Sequence, residues 1–372
     1  MKLSIPRRGL IASAVLAVAA GSVAAASAAA AAPSQHGPDP TLTILTSGDR
    51  TATGSGDTNP LAGAVAGVAG VTYHVTGTGA NAGVSETCTS NAAGSCSVEV
   101  PAGTYTVTQV NAPEDNDVSQ DNYRINETLG IGPLGSIANT PYNTLTVTVP
   151  VGGATIPVGS TANTPNSVRS GRWAVSRYNP PPPATCTRSV ALLFDLSASI
   201  TASDLAQYKA AATHFVESLE SSSTNVTLYT FGTTAPAPGA ANGTFGPENT
   251  LTHAGVTTLV NRINGLTLPA GQFTNWDAGI WQMTTVANQP AGHPAYDEAL
   301  VLTDGDPTAI GTTGAPDTGS LATRFRAVEN GIFSANALKA EGTRVIAVGI
   351  AGNATPGSIA NLKAIDRQPA DL

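Results

Sequence analysis

The chain has 372 residues, only 11% of them charged, and a formal net charge of −8, whereas globular chains usually carry about a quarter charged residues. It has no basic patch, which excludes nucleic acid and anionic lipid as expected partners. The length suffices for two domains of ordinary size.

Residues 1–32 read as a signal peptide. Lys2, Arg7 and Arg8 form a basic start, small and apolar residues follow from Gly9, and Ala-x-Ala cleavage choices crowd 24–32, with the cut placed near Ala32. A membrane span is the rival reading, but this segment is rich in Ala and Ser and ends in cleavage-type residues. The mature chain is therefore expected to be secreted or held at the cell surface, with no membrane insertion once the signal is removed. Residues 33–42 are a short linker without periodicity.

Residues 43–165 show short alternating runs separated by turn residues. Val71, Tyr73 and Val75 form one, and Leu145, Val147 and Val149 another; Val98 and Val100, then Tyr105, Val107 and Val110, flank the turn Pro101-Ala102-Gly103. This spacing predicts a half-buried antiparallel sheet folded into a small β-sandwich, with no helix in it. Cys88 and Cys96 flank a polar turn. In an oxidising compartment they can staple a hairpin, worth about 2–3 kcal/mol for so short a loop; the alternative is two free thiols. Cys186 is left over. Residues 166–186 read as a linker, since four consecutive prolines from Pro180 make a semi-rigid spacer that would hold two domains apart.

From 187 to 372 strands alternate with helices. Ser189–Phe194 is a continuous apolar run suited to a parallel strand buried on both faces. Thr201 and Asp204 form a capping box ahead of Leu205, Tyr208, Ala212, Phe215, Val216 and Leu219 at helical spacing. Strands are predicted at Val226–Phe231, Ala299–Leu302 and Arg344–Ile350. Helices are predicted at Trp276–Thr285 and Leu321–Ala340, with a short one at Gly357–Ile365. The fold class is thus multidomain: a β-sandwich followed by an α/β doubly wound, Rossmann-like domain.

Three segments of that second domain carry oxygen-bearing side chains where an open α/β sheet keeps its ligands, outside the carboxyl ends of its strands. They are Asp195-Leu-Ser197-Ala-Ser199, Gly271-Gln-Phe-Thr274-Asn-Trp-Asp-Ala-Gly279, and Leu302-Thr303-Asp304-Gly305. Together they deliver two carboxylates and three hydroxyls toward one crevice.

In this order and on these elements, the three segments resemble the metal-ion-dependent adhesion site of von Willebrand factor A domains, over about residues 187–366. The resemblance implies that Ser197, Ser199 and Thr274 are hydroxyl ligands of a divalent cation, with Asp195 and Asp304 binding largely through waters. Mg²⁺ is the implied ion, with Mn²⁺ or Ca²⁺ as alternatives; a partner carboxylate would complete its shell. The implied partner is a protein or glycan, pilus subunits included. Upstream, the run from Cys96 to Pro113, about 80 residues with its surroundings, resembles the prealbumin-like domains of Gram-positive surface proteins and pilins. Many of those carry a Lys isopeptide bond. Here Lys stands only at positions 2, 209, 339 and 363, so the sandwich cannot form one.

Plainer roles exist for the same residues. Ser197 and Ser199 could cap the first helix, and Asp304 could open an Asp-Gly turn. Asp306 and Asp277 read as a solvated loop residue and a helix N-terminal charge. His214 and His253 read as surface or packing residues, and Trp276 and Trp281 as packing. The stretch Thr233–Thr250 reads as a surface loop contributing to specificity.

The family usually adds another edge strand and a final helix, so the reading is of a truncated domain whose strand at Arg344–Ile350 becomes an exposed edge. Cys186 then pairs beyond Leu372 or is a free thiol. The expected function is adhesion or ligand binding without catalysis. The alternative is a structural wall or matrix protein whose metal only stabilises the fold. A haloacid-dehalogenase-type phosphohydrolase would need a second Asp where Ser197 stands, and a serine hydrolase would need a Gly-x-Ser-x-Gly elbow that the chain lacks.

Overall fold

Strand β1 (Thr41–Arg50) organises the N-terminal half. The computed structural model describes residues 39–52, 64–113, 122–133, 135–151, 156–158, 173–182, 188–287, 295–311, 315–316, 321–350 and 355–366. The signal-peptide and Cys186 expectations lie outside these residues. Along β1, Leu42 and Ile44 are buried and alternate with half-buried threonines. The alternating runs become β2 (Thr72–Gly77), β3 (Ser85–Thr89), β4 (Ser95–Glu99), β5 (Gly103–Asn111), β6 (Thr128–Ile131) and β7 (Thr144–Val149).

Strands β7, β5, β2 and β3 form one antiparallel sheet in that order. Strand β1 pairs antiparallel with β4 but parallel with Ile156–Val158 and with Trp173–Ala174, so the second sheet is mixed. Tyr73 and Val107 on one sheet and Leu42 and Ile44 on the other share an apolar cluster. Val110, read as part of the run after the Pro101–Gly103 turn, is exposed. Tyr105, Val107 and Gln109 are the inward side chains of β5, and the pairing with β2 shifts at Thr72/Tyr73. Gln109 is buried there because its amide donates to the Tyr73 hydroxyl at 3.1 Å.

Cys88 and Cys96 form a disulfide across a sequence separation of 8. It does not staple a hairpin: β3 lies in the four-stranded sheet and β4 pairs with β1, so the bridge ties the two sheets together. Replacing both cysteines with Ala should cost about 2–3 kcal/mol in chemical denaturation; an unchanged unfolding midpoint would show that packing alone holds the sheets.

The described part of the expected linker, residues 173–182, does not run free as a spacer. Trp173–Ala174 pairs with Thr46–Ser47, and Ser176–Arg177 pairs with Tyr123–Arg124. Trp173 is fully buried, stacks on Tyr73 with ring centroids 5.0 Å apart, and donates its indole N–H to the Tyr142 carbonyl at 2.8 Å. Burying an indole removes a large apolar surface from water, and the prolines begin only after this paired stretch.

The C-terminal half contains β8 (Ser189–Asp195), α1 (Ala202–Ser218), β9 (Asn225–Phe231), β10 (Phe245–Asn249), α2 (His253–Gly265), α3 (Trp276–Trp281), β11 (Glu298–Thr303), α4 (Phe325–Ala340), β12 (Arg344–Gly349) and α5 (Pro356–Asp366). The sheet order is β10-β9-β8-β11-β12, parallel except for the edge strand β10. Val190, Leu192 and Phe194 of β8 face α1 and α2 in one cluster, while Ala191 and Leu193 join Trp276 and Ile332 in the other. The expected capping box starts α1: Asp204 N–H donates to Thr201 Oγ1 at 3.2 Å and Thr201 N–H to Asp204 Oδ2 at 2.9 Å.

Three differences from the sequence expectations follow from packing. Helix α2 and strand β10 occupy ground read as loop or left unassigned. α3 ends at Trp281 rather than Thr285. The edge β12 is covered: Asn179 exchanges both hydrogen bonds with the Val345 backbone at 2.8 and 2.9 Å, and Ala347 N–H donates to Asp366 at 3.1 Å. Residues 325–339 of α4 are all buried, because β1 crosses their outer side. Among the described residues no helix is long and apolar enough to cross a membrane.

Candidate metal centre

Each of the three predicted segments begins where a strand or loop of the parallel sheet ends, and their side chains meet. β8 delivers Asp195, which is fully buried. Its Oδ1 accepts from the Ser197 N–H at 2.9 Å and its Oδ2 from the Thr303 hydroxyl at 2.6 Å. Ser197 Oγ lies 3.0 Å from Ser199 Oγ, and Ser199 Oγ donates to Asp304 Oδ1 at 2.9 Å. Thr274 belongs to the same crevice: a Cβ built on Gly305 would stand 3.4 Å from Ser199 Oγ and 3.9 Å from Thr274 Oγ1. Both hydroxyls thus border the space in front of Gly305.

Backbone bonds lock the loops to one another. The Thr274 carbonyl accepts from Thr308 N–H at 2.8 Å and Ala309 N–H at 3.0 Å, and Thr274 N–H donates to Thr308 Oγ1 at 3.1 Å. Ala198 N–H donates to the Gln272 carbonyl at 2.9 Å. Asn275 caps α3 by accepting from Ala278 N–H at 3.0 Å, and its amide donates to the carbonyls of Thr233 and Gly311. All five predicted residues are therefore brought together. Sequence reasoning did not find Thr303, Asn275 and Thr308, which hold them; Thr303 alone had a signal, as the hydroxyl preceding Asp304.

Two expectations are corrected. Asp306 is not solvated: it is 8% exposed and accepts from Ser358 Oγ at 2.6 Å and from the Asn361 amide. Asp277 is not a free helix-end charge either. It is fully buried, pairs with Arg50 and accepts from Ser334 and from Gly311 N–H at 3.0 Å. His214 and His253 are exposed, and Trp276 and Trp281 are buried packing residues.

The electrostatics are those of an acidic pocket. Burial, then the charge of Asp304, pushes the Asp195 carboxyl up to about 7 against the hydrogen bonds from Thr303 and Ser197. Burial likewise raises Asp304 to about 6, opposed by the Ser199 bond and reinforced by the charges of Asp204 and Asp306. The charges acting on these two carboxyls are thus all negative. Among the described residues no group of three or more His, Cys, Asp or Glu side chains gathers. The donor set is two carboxylates with three hydroxyls, the chemistry of a hard cation and not of a soft one.

The model of the von Willebrand factor type A domain family matches residues 189–370. No curated protein matches the chain. Among solved structures the chain is similar to the pilus adhesin SpaC from Lactobacillus rhamnosus GG, at 15% identity and a TM-score of 0.37 over 52% of this chain and 29% of that one. It is also similar to proximal thread matrix protein 1 from the mussel byssus, with a zinc-occupied MIDAS motif, at 19% identity and a TM-score of 0.34 over 48% and 41%. A third is a mutant of the PilB minor pilin from Streptococcus sanguinis, at 17% identity and a TM-score of 0.24 over 55% and 43%. The chain spans less than half the length of each of these, and likenesses so distant say nothing of what it binds. The family match rests on the half of the chain that carries all five crevice residues: residues 189–370 are a von Willebrand factor type A domain.

Proposed function

We propose that the chain is an adhesion or ligand-binding protein that engages its partner through a divalent cation. Ser197, Ser199 and Thr274 would hold the ion by their hydroxyls, with Asp195 and Asp304 acting largely through water. The observation that carries this reading is the gathering of oxygen donors: Ser199 Oγ lies 3.0 Å from Ser197 Oγ and 2.9 Å from Asp304 Oδ1, and Thr274 Oγ1 borders the same space in front of Gly305. The two carboxyls, with only negative charge acting on them, supply the electrostatic demand for a cation.

Mg²⁺ fits best, because hydroxyl-rich shells suit a small ion that keeps several waters; Mn²⁺ or Ca²⁺ are alternatives. When bound, the ion supplies positive charge at the crevice mouth, where a carboxylate of a protein or glycan can bind. Pilus subunits are among such partners. The chain's own residues orient the donors and shield them; no catalytic step is assigned to them. The protein acts outside the cell, secreted or at its surface. The N-terminal sheets are the prealbumin-like module, fused to the site-bearing domain rather than standing below it as a stalk.

Isothermal titration of the metal-stripped mature chain with Mg²⁺ and Mn²⁺ tests this. One site is expected in the wild type, and none in Asp195→Ala or Thr274→Ala while both remain folded. A folded wild type that binds neither ion would end the adhesion reading.

A further inference from the structure

Both loops that carry the crevice are held from behind by the N-terminal sheets, through two separate ties. The first runs from β6. Gly130 N–H donates to Asn361 Oδ1 at 2.7 Å, and the Gly130 carbonyl accepts from Asn361 Nδ2 at 2.9 Å. The same amide nitrogen donates to Asp306, two residues beyond Asp304. Asn361 is fully buried on α5. The approach is close enough that a Cβ on Gly130 would stand 2.4 Å from the Gly357 carbonyl. Gly132 and Thr323 also exchange backbone bonds at 3.0 and 2.8 Å.

The second tie runs from the end of β1. The Arg50 guanidinium pairs with Asp277, donates to Ser334 Oγ at 3.2 Å and lies 4.3 Å from the centre of the Trp281 ring. Asp277 stands three residues after Thr274, and its other oxygen accepts from Gly311 N–H at 3.0 Å. One arginine of the N-terminal half thus fixes the helix behind Thr274 and, through the same carboxylate, the far end of the Asp304 loop.

We propose that the N-terminal sheets are the back-plate of the cation site: Gly130 through Asn361 and Asp306, and Arg50 through Asp277, position the Asp304 and Thr274 loops. Arg50 and Asn361 are positioning residues that touch no ligand. The inference rests on the reading of the crevice as a cation site. It adds that site and N-terminal half are coupled, so that by linkage cation binding tightens the docking of β6 as much as docking tightens the site.

The experiment is amide hydrogen exchange on the full mature chain, with and without saturating Mn²⁺, for the wild type, Asn361→Ala and Gly130→Ala. Asn361→Ala removes the tie from the α/β side, and Gly130→Ala pushes β6 away with every α/β residue intact. In the metal-free variants, exchange at residues 305–309 should rise about tenfold with β8 and β9 unchanged, and Mn²⁺ affinity should fall about fivefold, within the usual range of such couplings. In the wild type, Mn²⁺ should slow exchange at the Gly130 amide. A residue that merely stabilises the fold would raise exchange everywhere and leave Gly130 indifferent to Mn²⁺.

Unchanged exchange at 305–309 in folded variants overturns the proposal. So does wild-type Mn²⁺ binding that leaves Gly130 exchange as it was, a result readable even if both variants fail to fold. If the wild type binds no Mn²⁺ while the variants still loosen 305–309, positioning stands and the adhesion reading falls.

Discussion

Replacing Arg50 with Met lowers the unfolding free energy by about 3–5 kcal/mol, the usual cost of removing one partner of a buried ion pair. Both side chains of the Arg50–Asp277 pair are fully shielded from solvent. Burial disfavours the Arg50 charge, and Asp277 opposes that effect in part, by its charge and by the hydrogen bond. Without the guanidinium, the Asp277 carboxylate keeps Ser334 and Gly311 N–H as its partners among the described residues. Trp281 would also lose the cation over its ring. The double variant Arg50→Met/Asp277→Asn should recover part of the loss, because no charge is then stranded. Urea midpoints of the three proteins check this; a loss below about 1 kcal/mol in the single variant would mean that water reaches the pair.

Metal-stripped protein should lose stability as pH rises from about 4 to about 7. Asp195 has a folded-state value of about 7 against 3.8 for the free side chain. The folded state therefore holds this proton more tightly than the unfolded chain does. Its stabilising contribution is complete below about pH 4 and is lost as pH climbs through about 7. The loss is on the order of 4 kcal/mol for a shift of this size, and Asp304 adds a smaller one of the same sign up to about 6. Saturating Mg²⁺ should flatten the slope by compensating both carboxylates, and Asp195→Asn should flatten it without metal. Denaturation midpoints at pH 5 and pH 8 in the presence of a chelator provide the measurement. Stability that rises with pH across this window would contradict the placement of the two carboxyls.

What the sequence made legible was whatever is written within a few residues. The apolar run of β8, the Thr201–Asp204 capping box and the alternation of β2 depend on near neighbours, and each stands where the pattern put it. The five crevice residues were legible for a related reason: strand ends of a parallel sheet converge whatever surrounds them. Asp277 and Asp306 were not. Their environments are set by Arg50, 227 positions earlier in the chain, and by Ser358 and Asn361, more than 50 positions later. No local pattern distinguishes an aspartate at a helix start in water from one awaiting a distant arginine. Segment 173–182 misled in the same way, because its prolines are conspicuous while the cavity that takes Trp173 is built by residues from Tyr73 to Tyr142. α2 carried a usable signal in Val256, Leu259 and Ile263 at helical spacing, which the glycine- and alanine-rich stretch before it obscured.

The crossing of β1 over α4 also dictates an order of events for a nascent chain. Strand β1 emerges early, yet it pairs with residues 173 and 174 and lies against a helix that begins at Phe325. It must wait for nearly the whole polypeptide before it reaches its final surroundings. Contacts so distant in sequence make for slow assembly, and they deny the leading half a finished surface of its own in the meantime. Such a chain cannot mature bead by bead as it leaves the ribosome. The contacts between β1 and α4 can form only after the helix from Phe325 has been made, and a shuffled gene carrying either half alone would inherit an unfinished face.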